Sequence, residues 1–191
     1  MDEAKIDNPA AGEGRGAHEN HGAREGQLAA HLRPLVVKIG SSTLTTSESK
    51  IDYAFLDDVA RQVARVREAG FSPIIVTSAA IARGLEALGI ERRATDMPSL
   101  PAGASVGQRA LSAGYARAFA QHGITTSLVL LTRRDTADRT AYLHARDTLS
   151  RLLEMGVVPI VNENDTVSVE QIRFGDNDTL AALVACLVEA E

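Results

Sequence analysis

The sequence predicts an α/β fold, a three-layer α/β/α sandwich on a mainly parallel sheet. Short apolar runs bounded by glycine or polar residues read as buried strands at residues 35–39, 73–76, 124–131 and 157–161. Between them lie longer stretches whose apolar residues recur at helical spacing. A strand, a helix and then another strand, repeated along the chain, is the pattern of parallel βαβ units with helices on both faces. The 191 residues suit one ordinary domain or a piece of a larger one, and their 45% apolar content is enough for a core.

In chain order, residues 1–33 are rich in Gly, Ala, Glu and Asn without apolar period, and read as a disordered tail. His18 and His21 have a spacing that metals use, but no further ligand is near, so they read as solvated. The first strand carries Lys38 and runs straight into Gly40-Ser41-Ser42-Thr43. Such a Gly-Ser loop lets backbone N–H groups approach phosphate oxygens, and Lys38 either adds a point charge there or simply snorkels at the strand end. A Walker A loop it is not, since the lysine precedes the glycine. A helix follows from Tyr53, opened by Asp52, striped by Leu56, Val59 and Val63, and closed by Gly70. After the second strand, Thr77-Ser78-Ala79-Ala80 leads into a small-residue helix ending near Gly89. Ser78 is read both as a helix N-cap and as a hydroxyl and N–H donor to a carboxylate. Residues 90–101, with Arg92, Arg93, Pro98 and Pro101, read as a loop before an alanine-rich helix from about Ala102 to Gln121. The third strand ends at Thr132-Arg133-Arg134-Asp135, and Asp138 is the expected cap of the helix reaching Glu154.

The last segment concentrates polar chemistry. Gly156 opens the fourth strand, which delivers Asn162, Glu163, Asn164 and Asp165 to its carboxyl end. A second cluster, Asp176-Asn177-Asp178, precedes the apolar stripe of Leu180, Leu183, Val184, Leu187 and Val188 and so marks a helix start. Ligands of open α/β sheets bind outside the carboxyl ends of the strands, so two acid–amide clusters returning to that edge point to a polar ligand. A mixture of carboxylates and amides grips an ammonium, orients a metal-bound phosphate or steadies a lysine. The net charge of −5 and a pI near 5.6 argue against a nucleic-acid surface. No apolar run is long enough to span a bilayer, no signal-peptide core is present, and the lone Cys186 reads as a core residue of the last helix. The expected compartment is the cytoplasm.

Taken together, Leu35-Val-Val-Lys38-Ile-Gly-Ser-Ser, Val76-Thr-Ser78-Ala-Ala-Ile-Ala, Val106-Gly-Gln108, Leu131-Thr-Arg-Arg-Asp135, Asn162-Glu-Asn-Asp165 and Phe174-Gly-Asp-Asn-Asp178 have the order and spacing found in glutamate 5-kinases. The chain resembles that branch of the amino acid kinase superfamily over about residues 35–189. The resemblance implies phosphoryl transfer from ATP, with Mg²⁺, to the γ-carboxylate of L-glutamate as the first step of proline synthesis. It implies that Lys38 stabilises the transferring phosphoryl group, that Gly40 and Ser41 form a phosphate loop, and that Asp178 orients catalytic lysine. It further implies that Ser78, Asn162, Asp165 and Asn177 bind glutamate, with no protein-held metal. Feedback inhibition by proline, a homo-oligomer in the full-length form, and no nucleic-acid or membrane partner are expected on the same ground.

Three departures accompany the resemblance. Ala79 stands where relatives usually have glycine, and its methyl group crowds the backbone if that position needs positive φ. Leu100-Pro101 replaces a common Lys-Gln. The resemblance also implies that residues 34–191 are the glutamate-binding portion of the domain, truncated before the glycine-rich, second-lysine segment that holds ATP in relatives. Two readings of function follow: part of an ATP-dependent glutamate kinase, inactive alone, or a catalytically silent glutamate-binding subunit. A related kinase with another substrate is a third, against which Asn162-Glu-Asn-Asp165 speaks, because Asp165 suits a free α-ammonium.

Overall fold

A computed structural model describes residues 32–46, 50–90, 98–168 and 177–190. The readings made above for residues 1–31, for Arg92 and Arg93, and for Phe174-Gly175-Asp176 lie outside those residues. Among them run four strands, β1 (Pro34–Lys38), β2 (Ser72–Val76), β3 (Thr126–Leu131) and β4 (Val158–Glu163), all parallel and ordered β1-β2-β4-β3. Val36 pairs with Ile74, Ile75 with Ile160, and Leu130 with Asn162. This register brings Lys38, Val76 and Val161 level, so the residues just beyond them share one edge.

Among the described residues seven helices accompany the strands: α1 (Ser41–Leu44), α2 (Tyr53–Glu68), α3 (Ala80–Ala87), α4 (Ser99–Ala120), α5 (Arg133–Ala137), α6 (Arg139–Glu154) and α7 (Asn177–Leu187). The strand alternation of period two sends Ile75 to one face and Ile74 and Val76 to the other. On the Ile75 side, α2 and α4 bury Leu56, Val59, Val63, Leu111, Tyr115 and Phe119. On the opposite side, α6 and α7 bury Leu149, Leu153, Leu180, Val184 and Leu187. Helices therefore cover both faces, as the sequence pattern predicts. Asp52 caps α2 by accepting from the Phe55 N–H at 2.9 Å, Asp138 caps α6 by accepting from Ala141, and Thr132 and Asp135 form a capping box on α5.

Several local expectations change. The long helix α4 starts at Ser99, before the expected Ala102, with Pro101 inside its first turn. That is tolerated because first-turn N–H groups have no intrahelical acceptor to lose. Asn162 and Glu163 belong to β4 itself. Cys186 is exposed and free, not a core residue, because the buried stripe of α7 runs through Leu180, Val184 and Leu187 and leaves position 186 on the outer side. Helices α3 and α4 cross at backbone contact. A methyl group built on Gly84 would overlap the Gly103 carbonyl, and one on Gly107 would overlap the Ala80 carbonyl.

Candidate functional site

The carboxyl edge of the sheet carries a connected set of polar side chains. Asn177, at the start of α7, is buried and donates through Nδ2 to the Thr77 carbonyl at 2.6 Å and to Ser78 Oγ at 2.6 Å. The same nitrogen lies 3.1 Å from Asn162 Oδ1. Asn162 Nδ2 in turn donates to Gln108 Oε1 on α4 at 2.8 Å. A loop after β2, the end of β4 and two helices thus converge through amides, which burial makes worth satisfying. Ser78 is not the N-cap of α3. That position falls on Ala79, which makes no side-chain cap and sits in the left-handed region at φ 81°. Accepting from Asn177, the Ser78 hydroxyl keeps its own hydrogen for another acceptor.

One end of this set is cationic. Lys38, the last residue of β1, reaches Asp178 Oδ1 at 2.7 Å, next to Asn177 in sequence. Both side chains meet water, Asp178 being 79% exposed, so the pair contributes little stability, about 0–1 kcal/mol. What it does is aim the ammonium. Gly40, extended at φ −79° and ψ 161°, leads into α1, and a Cβ there would stand 3.6 Å from Lys38 Nζ, so glycine leaves the ammonium open to approach. Ser41 is exposed beside it.

The other end is acidic. A cavity of about 290 Å³ runs from Ser41 past Ser78 and Asn162 to Asp165, and a second of about 530 Å³ continues between α4 and β4 with Gln108, Glu163 and Asp165 in its wall. Burial raises the Asp165 carboxyl to about 6, and the neighbouring charge of Glu163 adds to the rise. Glu163 accepts from Ser168 Oγ at 3.2 Å. Behind the site, Thr77 Oγ1 and Tyr115 OH share a buried 3.0 Å hydrogen bond, and burial pushes the Tyr115 phenol above its usual range.

The edge therefore brings together Lys38, Gly40, Ser41, Ser78, Asn162, Asp165, Asn177 and Asp178. Sequence reasoning left Thr77, Tyr115 and Gln108 without a role. Gln108 is visible in the sequence only as part of Val106-Gly-Gln108, and Tyr115 reads simply as core. Leu100 lies in the wall of the smaller cavity.

Comparison with known proteins places this geometry. The description "Amino acid kinase family" matches residues 33–191. A glutamate 5-kinase from Azoarcus sp. is 54% identical over 161 residues, which is 84% of this chain and 43% of that protein. Another from Aromatoleum aromaticum is 51% identical over 160 residues, and one from Ralstonia nicotianae 51% over 164 residues. The chain spans less than half the length of these curated relatives. A crystal structure of UMP kinase from Ureaplasma parvum superposes with a TM-score of 0.54 at 16% identity, covering 84% of this chain and 66% of that one, a likeness of fold. With the family's match running from the first strand to the last residue, the chain belongs to the amino acid kinase family.

Proposed function

We propose that this chain is the glutamate-binding portion of a glutamate 5-kinase, which transfers the γ-phosphoryl group of ATP to the γ-carboxylate of L-glutamate to give L-glutamyl 5-phosphate for proline synthesis. The observation that carries the reading is the joined edge of Lys38–Asp178, the Ser78–Asn177–Asn162 amide cluster and Asp165. It occurs in a chain about half identical to curated glutamate 5-kinases.

The chemistry suits these residue types. A carboxylate nucleophile is already ionised at neutral pH, so the site needs no general base and must hold two anions while offsetting the charge that grows between them. Lys38 would meet the transferring phosphoryl oxygens, steadied by Asp178, with Gly40 and Ser41 offering backbone N–H groups to phosphate. Ser78, its hydroxyl steadied by Asn177, would donate to the γ-carboxylate, and Asp165 would pair with the α-ammonium. Mg²⁺ bound with the nucleotide would neutralise phosphate charge. This reading, following the resemblance, leaves the ion to the nucleotide's own phosphates. No helix among the described residues is long and apolar enough to cross a membrane. A cytoplasmic location, proline feedback and a homo-oligomer belong to the same reading and rest on the resemblance.

Calorimetry with L-glutamate, N-acetyl-L-glutamate and UMP tests the substrate class. Binding of L-glutamate in preference to the other two is expected, and equal binding of the acetylated compound would remove the ammonium role of Asp165. Turnover is read by trapping the acyl phosphate as its hydroxamate. Residues 1–191 alone are expected to fall far below a version extended to the relatives' length, because orienting both reactants is worth up to about 7–11 kcal/mol.

A further inference from the structure

The amide chain at the sheet edge has a direction. A backbone carbonyl can only accept, so the Thr77 oxygen obliges Asn177 to present its NH₂ group. Asn162 then turns its carbonyl to Asn177 and its NH₂ to Gln108, which accepts through Oε1. The orientation of three side-chain amides is thus set by one main-chain oxygen, and Gln108 is left holding the last NH₂. That nitrogen is buried and finds no hydrogen-bond partner among the described residues. Gln108 is only 8% exposed and lies in the wall of the larger cavity together with Asp165. Leaving a buried donor unmade is costly, and native proteins keep such groups where a ligand completes them.

We infer that Gln108 is a specificity-determining residue whose Nε2 donates to the α-carboxylate of the amino acid substrate. The inference rests on the proposed glutamate site and deepens it. The set runs from Lys38 and Asp178 at the phosphoryl end, through Asn177 and Asn162, to Gln108 and Asp165 at the far end. A glutamate whose γ-carboxylate faces Lys38 therefore presents its α-carbon to Asp165 and Gln108. Its ammonium suits the carboxylate, and its α-carboxylate needs a donor. A glutamine at this place rejects an analogue lacking the α-carboxylate, because the NH₂ then stays unpaired.

The test crosses two variants with three ligands: L-glutamate, 4-aminobutyrate, which lacks the α-carboxylate, and glutarate, which lacks the ammonium. Gln108→Glu keeps the acceptor for Asn162 and replaces the donor with an acid. Gln108→Met removes the amide at similar volume. Affinities are read by calorimetry, with thermal unfolding of the ligand-free protein measured beside them. Each variant is expected to bind L-glutamate and glutarate about 10- to 100-fold more weakly while binding 4-aminobutyrate as the unaltered chain does. An Asp165→Asn variant should show the complementary pattern, losing L-glutamate and 4-aminobutyrate but not glutarate. Equal losses for all three ligands with both Gln108 variants would make Gln108 a structural residue and overturn the inference, as would unchanged affinity for L-glutamate. An unaltered chain that binds none of the three would overturn the glutamate site itself, and this inference with it.

Discussion

At the scale of the residue, two positions beside the proposed site hold unfavourable states. Ala79 lies at φ 81°, where an L-residue other than glycine costs about 1–2 kcal/mol. Part of that gain is returned by the greater freedom of glycine in the unfolded chain, so Ala79→Gly should stabilise by a net of roughly 0.5–1 kcal/mol. Thermal unfolding should register a rise of about 1–4 °C. Asp165 is the second. Its folded carboxyl titrates at about 6 against an ordinary 3.8, so between those values the folded chain binds a proton that the unfolded chain does not. This group therefore favours the fold as pH falls from about 6 toward 4, and opposes it above 6. Asp165→Asn should raise the unfolding temperature of the ligand-free chain in neutral buffer, yet weaken L-glutamate binding by about 2–4 kcal/mol. Pairing with an ammonium favours the ionised form, so glutamate binding near pH 6 should release protons. Titrations in two buffers of different ionisation heat would reveal that release as a difference in apparent enthalpy.

At the scale of the element, the crossing of α3 and α4 is the tightest contact in the fold. Gly84, Gly103 and Gly107 let the two backbones touch, and the helix beginning with Ala80 then holds Ser78 and Ala79 against the amide cluster. Gly107→Ala would force the helices apart; overpacking typically costs about 1–3 kcal/mol, and a backbone carbonyl cannot step aside as a side chain can. Denaturant unfolding should place this variant at the top of that range or beyond, with glutamate affinity falling alongside. The strands, the caps at Asp52 and Asp138 and the layer order were all legible from apolar periodicity and cap chemistry. Glycines in α4 were not, because helix–helix distance is a property of two segments and no single stretch displays it. Cys186 was misread for a related reason. An apolar helical pattern names residues able to be buried, while the sheet decides which of them are. In the site, the link between Lys38 and Asp178 came from the family resemblance, while the role of Gln108 depends on which way Asn162 and Asn177 turn, a fact absent from spacing.

At the scale of the whole molecule, the site is a consequence of docking α7 onto the sheet of β1 to β4. Asn177 bonds to Thr77, 100 residues earlier, and α7 seals Ile74, Val76 and Val161 through Leu180, Val184 and Leu187. Leu187→Ala, a fully buried truncation at the far end of that helix, should cost about 2–5 kcal/mol and also weaken glutamate binding, though Leu187 touches no part of the cavity. Amide hydrogen exchange through residues 177–187 should slow when glutamate is added and accelerate in this variant. The long reach from Thr77 to Asn177 also matters during synthesis. A chain emerging from the ribosome has β1 to β4 by residue 163. Helix α6 already covers part of one face through Leu149 and Leu153, but the part that α7 seals has to wait for that helix. For that interval substrate cannot help the nascent chain fold, because Asn177, which ties the site together, has yet to reach Thr77.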